Sequence, residues 1–273
     1  MGLLEETKFL LRRYRISPKK ALGQHFMIEP SILQSMITYA AVERSDLVLD
    51  VGAGFGFLTR FLADKCKAVL AVESDVKLVK ILCEQLKDLS NVKIIEGDVL
   101  QMPILQFNKV VSVPPYNISS PLLLWLFRQN FECAVFIFQK EFANRLVASV
   151  GSEGYGWLTV VAYYYVDVEL LDKVPCWMFC PQPEVDSVVV RLRPKKPLPF
   201  AVKNEVLFRQ LAQSLFTRRN RKVRNAIVPF IHGRFGADAE GVLERLESFP
   251  FFDKRVRELA PEDFGVLLNG FVK

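Results

Sequence analysis

The segment from Leu47 to Ala63 combines an apolar strand, a glycine turn and a helix in immediate succession. Leu47-Val48-Leu49-Asp50-Val51 runs into Gly52-Ala53-Gly54-Phe55-Gly56, and helical spacing of apolar residues follows from Leu58. The chain then repeats the alternation, with strands at Ala68–Val72, Val92–Ile95, Lys109–Ser112 and Ala134–Phe138 and helices at Val76–Leu86 and Leu122–Arg128. Strands that alternate with helices predict an α/β fold with a doubly wound, largely parallel sheet.

The second half of the chain changes character at a proline-rich, basic linker. Two β-rich runs, Leu158–Leu170 and Val185–Leu192, precede it and predict strands that form an antiparallel, hairpin-like edge. After the linker at 194–199, helical patterns follow at Glu205–Ile227, Ala239–Glu247 and Pro261–Phe271. We therefore predict two domains, residues 1–193 and a small C-terminal all-helical domain at residues 194–273.

Composition excludes several classes of protein. No run of about eighteen apolar residues occurs, so we expect no transmembrane helix, and the first twenty residues lack the apolar core of a signal peptide. The five cysteines include no C-x-x-C pair, and their odd number argues against a disulfide framework. Cys176 and Cys180 have few histidines to join them, so we expect no metal site. A reducing compartment, the cytoplasm, is the predicted location.

The positive charge is concentrated in one segment. The net charge is +6, and residues 217–224 hold five of the cations, Arg218, Arg219, Arg221, Lys222 and Arg224. Smaller basic clusters lie at Pro18-Lys19-Lys20 and Arg193–Lys196. This distribution favours a polyanionic partner such as nucleic acid, and the alternative is a solvated helix face.

The glycine turn and two acidic residues indicate a site for an adenosine-containing ligand. Gly52 and Gly54 let a ligand approach the backbone at the N-terminus of a helix. Glu73 ends the second strand, where it would accept hydrogen bonds from a ribose, and Asp98 follows the third, where it would accept one from an adenine amine. A nicotinamide dinucleotide is the rival ligand, but its fingerprint is G-x-G-x-x-G and this turn is G-x-G-x-G.

The segment Val113-Pro114-Pro115-Tyr116-Asn117-Ile118-Ser119-Ser120-Pro121 follows the fourth strand, where ligands of such sheets collect. Two prolines fix the backbone and leave carbonyl groups free to accept hydrogen bonds, and the aromatic residue after them can stack on a base. A proline-stiffened loop with no role in binding is the alternative interpretation.

Five segments, taken together, resemble the family of small-subunit rRNA adenine dimethyltransferases over nearly the whole chain. They are Pro18–Phe26, Asp50–Gly56, Val113–Pro121, Phe179–Ser187 and Phe216–Asn225. The resemblance implies a Rossmann-like methyltransferase sheet, S-adenosylmethionine as cofactor, and methylation of adenosine amines near the 3′ end of small-subunit rRNA. It also implies a role in ribosome biogenesis, with the small ribosomal subunit as partner and a monomeric enzyme.

The resemblance also implies roles for individual residues. Gln24, His25 and Met27 would close over the methionine end of the cofactor. Gly52, Gly54, Glu73, Asp98 and Val113 would complete its site. Val113, Pro114 and Tyr116 would line the pocket of the target adenine, and Phe179 would stack on the flipped base. Arg218, Arg219, Arg221, Lys222 and Arg224 would bind RNA.

Val113 departs from the family pattern. Members usually carry Asn at this position, with Leu where this chain has Pro114. The missing side-chain oxygen would normally accept a hydrogen bond from the target amine, so the number of methyl groups added stays open. Val113 therefore adds weight to one alternative, a ribosome assembly factor of the same fold with weak chemistry. A large-subunit rRNA adenine methyltransferase is a second alternative because it shares the catalytic half, although the Arg218–Arg224 signature argues against it.

Overall fold

The computed structural model describes residues 2–18, 23–103 and 106–271. Residues 19–22 of the predicted N-terminal motif lie outside the described residues. The helices are α1 (Leu3–Arg13), α2 (Pro30–Tyr39), α3 (Phe57–Ala63), α4 (Val76–Gln85), α5 (Ser119–Leu126), α6 (Lys140–Leu146), α7 (Trp157–Tyr165), α8 (Glu205–Phe216), α9 (Val223–Ala226), α10 (Val228–Phe235), α11 (Ala239–Leu246) and α12 (Pro261–Phe271). The strands are β1 (Phe26–Met27), β2 (Leu47–Val51), β3 (Ala68–Glu73), β4 (Val92–Glu96), β5 (Lys109–Ser112), β6 (Cys133–Gln139), β7 (Val166–Val174), β8 (Phe179–Cys180) and β9 (Ser187–Pro194).

The chain folds into two compact units. One contains Met1–Ala143 and Glu169–Pro194, and the other contains Asn144–Val168 and Lys195–Lys273. The division that we predicted at residues 193 and 194 therefore leaves out the segment Asn144–Val168 of the second unit. This segment belongs there because its helix α7 packs against α8 and α12.

The first unit is built on a seven-stranded sheet in the order β4-β3-β2-β5-β6-β9-β7. Neighbouring strands from β4 to β6 are parallel, and β9 runs antiparallel to β6. The chain moves outward from β2 to β3 and β4, then returns to place β5 and β6 on the other side. This reversal of strand order creates a crevice at the carboxyl ends of β2 and β5, where doubly wound folds bind ligands.

A two-stranded sheet holds two distant segments of the first unit together. Strand β1 pairs antiparallel with β8, with Phe26 opposite Cys180 and Met27 opposite Phe179. The Nδ1 atom of His25 lies 2.8 Å from the carbonyl oxygen of Pro181 and extends this contact beyond the strands. His25 and Phe26 of the N-terminal motif, together with Met27, thus lie against the Phe179–Ser187 motif, which is far away in sequence.

The second unit is helical, and it corrects one of our strand predictions. Residues 158–165, predicted as part of a strand, form most of α7. Their Val and Tyr content favours strands, but this helix is buried on nearly all sides and so lacks the polar face that marks an amphipathic helix. The N–H of Gly156 donates to Thr159 Oγ1 (3.1 Å) and marks the start of the helix.

The basic segment is a second correction, because the predicted helix Glu205–Ile227 is interrupted. Helix α8 ends at Phe216, and α9 begins only at Val223. Between them the backbone pairs with residues 252–257 instead of continuing the helix. The N–H groups of Val223 and Arg224 donate to the carbonyl groups of Lys254 and Phe252, and Val256 N–H donates to Arg221. The five cations therefore lie mainly on a turn, not on one helical face.

Candidate active site

A cavity of about 500 Å³ opens at the carboxyl ends of β2, β3, β4 and β5 in the first unit. Its size lies in the range of small-molecule sites. Each of these strands delivers one predicted residue to it: Gly52 after β2, Glu73 at the end of β3, Asp98 after β4 and Val113 after β5. The lining contains every residue predicted to bind the cofactor, namely Gln24, His25, Met27, Gly52, Gly54, Glu73, Asp98 and Val113.

The Glu73 carboxylate fixes two turns at the edge of this cavity. Its Oε1 atom accepts hydrogen bonds from the backbone N–H groups of Ser74 (2.8 Å) and Asp75 (2.9 Å). Its Oε2 atom accepts one from Gly54 N–H in the glycine turn (3.0 Å). Burial raises the pKa of this carboxyl, and the three N–H groups oppose the rise. Each carboxylate oxygen has two lone pairs, so Oε1 is fully used and Oε2 keeps acceptor capacity for one ribose hydroxyl.

Gly52 brings the glycine turn into direct contact with the proline segment. Its φ is +73°, a left-handed conformation that favours glycine, and a Cβ atom here would lie 2.7 Å from Cδ of Pro115. The backbone is fixed because the N–H groups of Gly52 and Ala53 both donate to the carbonyl oxygen of Val72. Glycine at position 52 therefore sets the spacing between the two turns.

The electrostatics of the cavity favour a cationic ligand. Four carboxyl groups line it, those of Asp50, Glu73, Asp75 and Asp98, and its described lining contains no Lys or Arg. Asp50 is fully buried and accepts a hydrogen bond from Thr59 Oγ1 (2.7 Å). Burial raises the pKa of Asp50 to about 7, and the nearby negative charge of Glu73 adds to the rise. Such a lining suits a ligand with sulfonium and ammonium charges and opposes the pyrophosphate of a dinucleotide.

The proline segment presents carbonyl oxygens at the same edge. Pro114 is buried and Val113 is half-buried. Within the described chain, neither of their carbonyl oxygens accepts a hydrogen bond. The Val113 side chain lines the cavity but offers no acceptor. The backbone is thus the source of acceptors at the point where family members usually carry Asn.

The aromatic residues expected to hold a base lie beside the cavity and outside its immediate lining. The ring of Tyr116 is stacked on His25, with centroids 5.7 Å apart, and meets Phe179 edge to face at 6.3 Å and 70°. The Tyr116 hydroxyl lies 2.7 Å from Ser187 Oγ, and only 2% of Phe179 is exposed. We predicted that a flipped base stacks between these two rings, and from this geometry one of the rings must turn before a base can lie there.

The basic turn in the second unit places the five predicted RNA-binding cations in three different environments. The Arg219 guanidinium donates to the carbonyl oxygens of Glu153 (2.8 Å) and Ser152 (2.9 Å), which gives it a structural role. Lys222 and Arg224 share Asp253 at 3.1 and 2.9 Å. Arg218 and Arg221 are exposed, and neither side chain makes an ion pair or hydrogen bond with the described residues.

Comparison with known proteins shows the family to which the chain belongs. A sequence profile described as "Ribosomal RNA adenine dimethylase" matches residues 16–245. The chain belongs to the ribosomal RNA adenine dimethylase family. The family predicted from the sequence is therefore confirmed, and with it the enzyme class, an rRNA adenine methyltransferase.

Curated relatives and solved structures match most of the chain. A "Probable ribosomal RNA small subunit methyltransferase A" from Methanosarcina acetivorans is 37% identical over 263 residues, which cover 96% of this chain and 97% of the relative. The protein of the same name from Methanopyrus kandleri is 39% identical over 265 residues, covering 96% of this chain and 95% of the relative.

Among solved structures, a dimethyladenosine transferase from Plasmodium falciparum matches with a TM-score of 0.80 and 29% identity. The match covers 90% of this chain and 97% of that one. The 23S rRNA methyltransferase ErmE matches with a TM-score of 0.64 and 24% identity over 90% of this chain and 98% of that one. The predicted fold class, a doubly wound methyltransferase sheet with a helical C-terminal part, is confirmed.

Several lining residues were missed by the sequence analysis. Asp50, Asp75, Pro115 and Asn117 all line the cavity. Asp50 lies two residues before Gly52 and Asp75 lies two residues after Glu73, so their proximity in sequence to predicted residues was a signal that could have identified them.

In the described part of the chain, no helix has the length and apolar character needed to cross a membrane.

Proposed function

We propose that this protein transfers methyl groups from S-adenosylmethionine to the exocyclic amines of adenosines near the 3′ end of small-subunit rRNA. The observation that carries the proposal is the single acidic cavity in which Gly52, Glu73, Asp98 and Val113 meet. Family membership and relatives named as small-subunit rRNA methyltransferases support the same reaction. Because the lining is acidic, it also disfavours a nicotinamide dinucleotide.

The residues present fit the cofactor. Glu73 would hold the ribose, Asp98 the adenine amine, and Gln24, His25 and Met27 the methionine end. When bound, S-adenosylmethionine supplies a methyl group already activated by its sulfonium, so the task of the protein is positioning and electrostatic stabilisation.

The target amine is a weak nucleophile because its lone pair is delocalised into the adenine ring. The carbonyl oxygens of Val113 and Pro114 would accept its hydrogens and so direct the lone pair toward the methyl group. No general base is required, since the proton can leave after the attack. Burial raises the pKa of Tyr116 to about 12, so its hydroxyl remains protonated and acts by contact with the base. A base in a duplex cannot reach this site, so the adenosine must flip out of its stack.

A methyl-transfer assay tests this function. The protein is incubated with labelled S-adenosylmethionine and with either purified small or purified large ribosomal subunits, and the label in the rRNA is measured. We expect label in the small subunit, and mass spectrometry of its rRNA should find methylated adenosine near the 3′ end. Label in the large subunit alone would contradict the proposal and favour the large-subunit enzyme. Tight binding to small subunits without transfer would favour an assembly factor, the alternative that Val113 supports.

Replacing Val113 with Asn is expected to accelerate the second methyl addition. The first transfer needs one alignment of the amine, which fixed carbonyl groups can provide. After it, the amine has one hydrogen fewer and a bulkier substituent, and a side-chain acceptor would hold the remaining hydrogen. Gain of one oriented hydrogen-bonding group is worth about 2–4 kcal/mol in a transition state, so we expect at least a roughly tenfold faster second step. Single-turnover rates for both additions measure this.

Val113→Ala is the matched control because it removes side-chain volume without adding an acceptor. We expect it to leave the second step slow and monomethyladenosine abundant. If Val113→Asn leaves the second rate unchanged or slower, position 113 does not limit dimethylation.

The basic turn makes a separate prediction about RNA affinity. If Arg218 and Arg221 contact phosphates, replacing both with Gln should weaken RNA binding and flatten its salt dependence. Each lost contact reduces the slope of log affinity against log salt by about 0.7–0.9. Titrations of rRNA binding over a series of salt concentrations give this slope.

Arg219→Gln is the control within the same turn. Its guanidinium already binds the carbonyl oxygens of Ser152 and Glu153, so we expect a lower melting temperature and an unchanged slope. An unchanged slope in the Arg218/Arg221 variant would mean that these two cations are only solvated.

A further inference from the structure

Trp177 is the most exposed large hydrophobic side chain in the described residues, with 57% of its surface accessible. It lies in the first unit, in a short 3-10 turn at Cys176–Met178 between β7 and β8. A free indole ring in water leaves a large apolar surface hydrated, and tryptophan is enriched at binding interfaces. No role in the cofactor site described above accounts for it.

The backbone around Trp177 is firmly held, so the exposure of the ring is a fixed feature. Met178 N–H donates to the carbonyl oxygen of Pro175 (3.0 Å), and the carbonyl oxygen of Met178 accepts from Ile28 N–H (2.9 Å). Cys176 N–H donates to Asp186 Oδ1 (2.9 Å). These contacts on both sides of Trp177 fix the turn while its ring projects into solvent.

The turn lies directly beside the aromatic residues assigned to the target base. Phe179, two residues after Trp177, pairs with Met27 of the cavity wall and meets Tyr116 edge to face. Trp177 is therefore two residues, along a fixed backbone, from an aromatic residue proposed to hold the flipped adenosine. A contact here would involve a nucleotide that flanks the target.

The charges near Trp177 favour contact with a base of the RNA over contact with a phosphate. Glu184 and Asp186 are exposed in the next connection, between β8 and β9, and Asp186 accepts a hydrogen bond from Cys176 N–H beside Trp177. Both carboxylates would repel a phosphate. An aromatic face stacks on any base, and unpaired bases of RNA are recognised in this way. We propose that Trp177 stacks on an unpaired base that flanks the target adenosine and so fixes the position of the RNA strand. This proposal rests on the proposed function.

Trp177→Ala tests the stacking directly. We expect the KM for small ribosomal subunits and the Kd for a short single-stranded oligoadenylate to rise about tenfold, which corresponds to about 1.4 kcal/mol. The kcat at saturating subunits should change little, because the cofactor site is untouched. Trp177→Phe keeps an aromatic face and should restore most of the affinity. Since the side chain is exposed, neither variant should lower the melting temperature.

Tryptophan fluorescence gives a readout that does not depend on methylation. Stacking of a base should quench Trp177 when oligoadenylate binds, and Trp177→Phe should abolish this quenching. Trp125→Phe is the control. Trp125 is half-buried against Phe107, so we expect this variant to show the same quenching as the wild type. Wild-type affinity and KM in Trp177→Ala would overturn the proposal. Absence of methyl transfer by the wild-type protein would instead refute the proposed function, while quenching and affinity would still decide the role of Trp177.

Discussion

Replacing Glu73 with Ala is expected to weaken binding of S-adenosylmethionine by at least about tenfold. The free acceptor position on Oε2 would take one ribose hydroxyl hydrogen bond, worth roughly 1.5–3 kcal/mol, and about 1.4 kcal/mol corresponds to a factor of ten. The substitution also leaves the N–H groups of Gly54, Ser74 and Asp75 without their acceptor. Both turns that line the cavity would then lose their fixed geometry, and the loss of affinity should exceed that of the ribose contact alone. Titration calorimetry measures it.

Glu96→Ala provides a matched control. Glu96 ends β4 and lies opposite Glu73 in the register of β3 and β4, but its side chain is exposed and lies outside the cavity lining. We expect it to bind the cofactor like the wild type. Melting temperatures without cofactor separate the structural effect of Glu73→Ala from the effect on binding. Unchanged affinity in Glu73→Ala would remove Glu73 from the ribose role.

The parallel strands could be predicted closely because each is short, apolar and bounded by polar or glycine residues. Lys109–Ser112 was predicted with its observed bounds, and the strand beginning at Ala68 was extended by only one residue, Glu73. The order of glycine turn, Glu73 and Asp98 also placed the cavity, because parallel strands with this topology bring their carboxyl ends to one edge.

Elements whose partners are distant in sequence could not be predicted in this way. Helix α7 has strand-forming residues, and it is a helix because it is buried among α8 and α12. The basic run resembles the continuation of a helix until residues 252–257 supply its backbone partners. In both places tertiary contacts override local propensity.

The same limit applies to the details of the site. The sequence placed His25 near the cofactor, but its stacking on Tyr116 and its contact with Pro181 depend on the pairing of β1 with β8. Likewise, Arg219 resembles its neighbouring cations in sequence and differs from them only because two carbonyl groups of residues 152 and 153 lie within reach. Charge density predicted the basic region and not the division of roles within it.

Gly52→Ala is expected to reduce kcat/KM for methyl transfer by at least about a hundredfold, since a displacement of about 1 Å at a reacting group has an effect of this size. The added Cβ atom would lie 2.7 Å from Cδ of Pro115, whose ring cannot rotate away. The Gly52 backbone cannot retreat either, because its N–H donates to the carbonyl oxygen of Val72 (2.8 Å). The proline segment must therefore move, and it carries the carbonyl groups of Val113 and Pro114 that would orient the target amine.

Gly151→Ala separates this collision from the strain of a left-handed backbone. Gly151 has a φ of +83°, similar to the +73° of Gly52, but a Cβ atom there would have no neighbour within 4 Å. Strain alone costs about 1–2 kcal/mol, so both variants should be less stable to unfolding by that amount or more. Only Gly52→Ala should lose methyl transfer when both are measured with labelled cofactor below their melting temperatures. If the two variants keep equal activity, contact between position 52 and Pro115 does not set the geometry of the target amine.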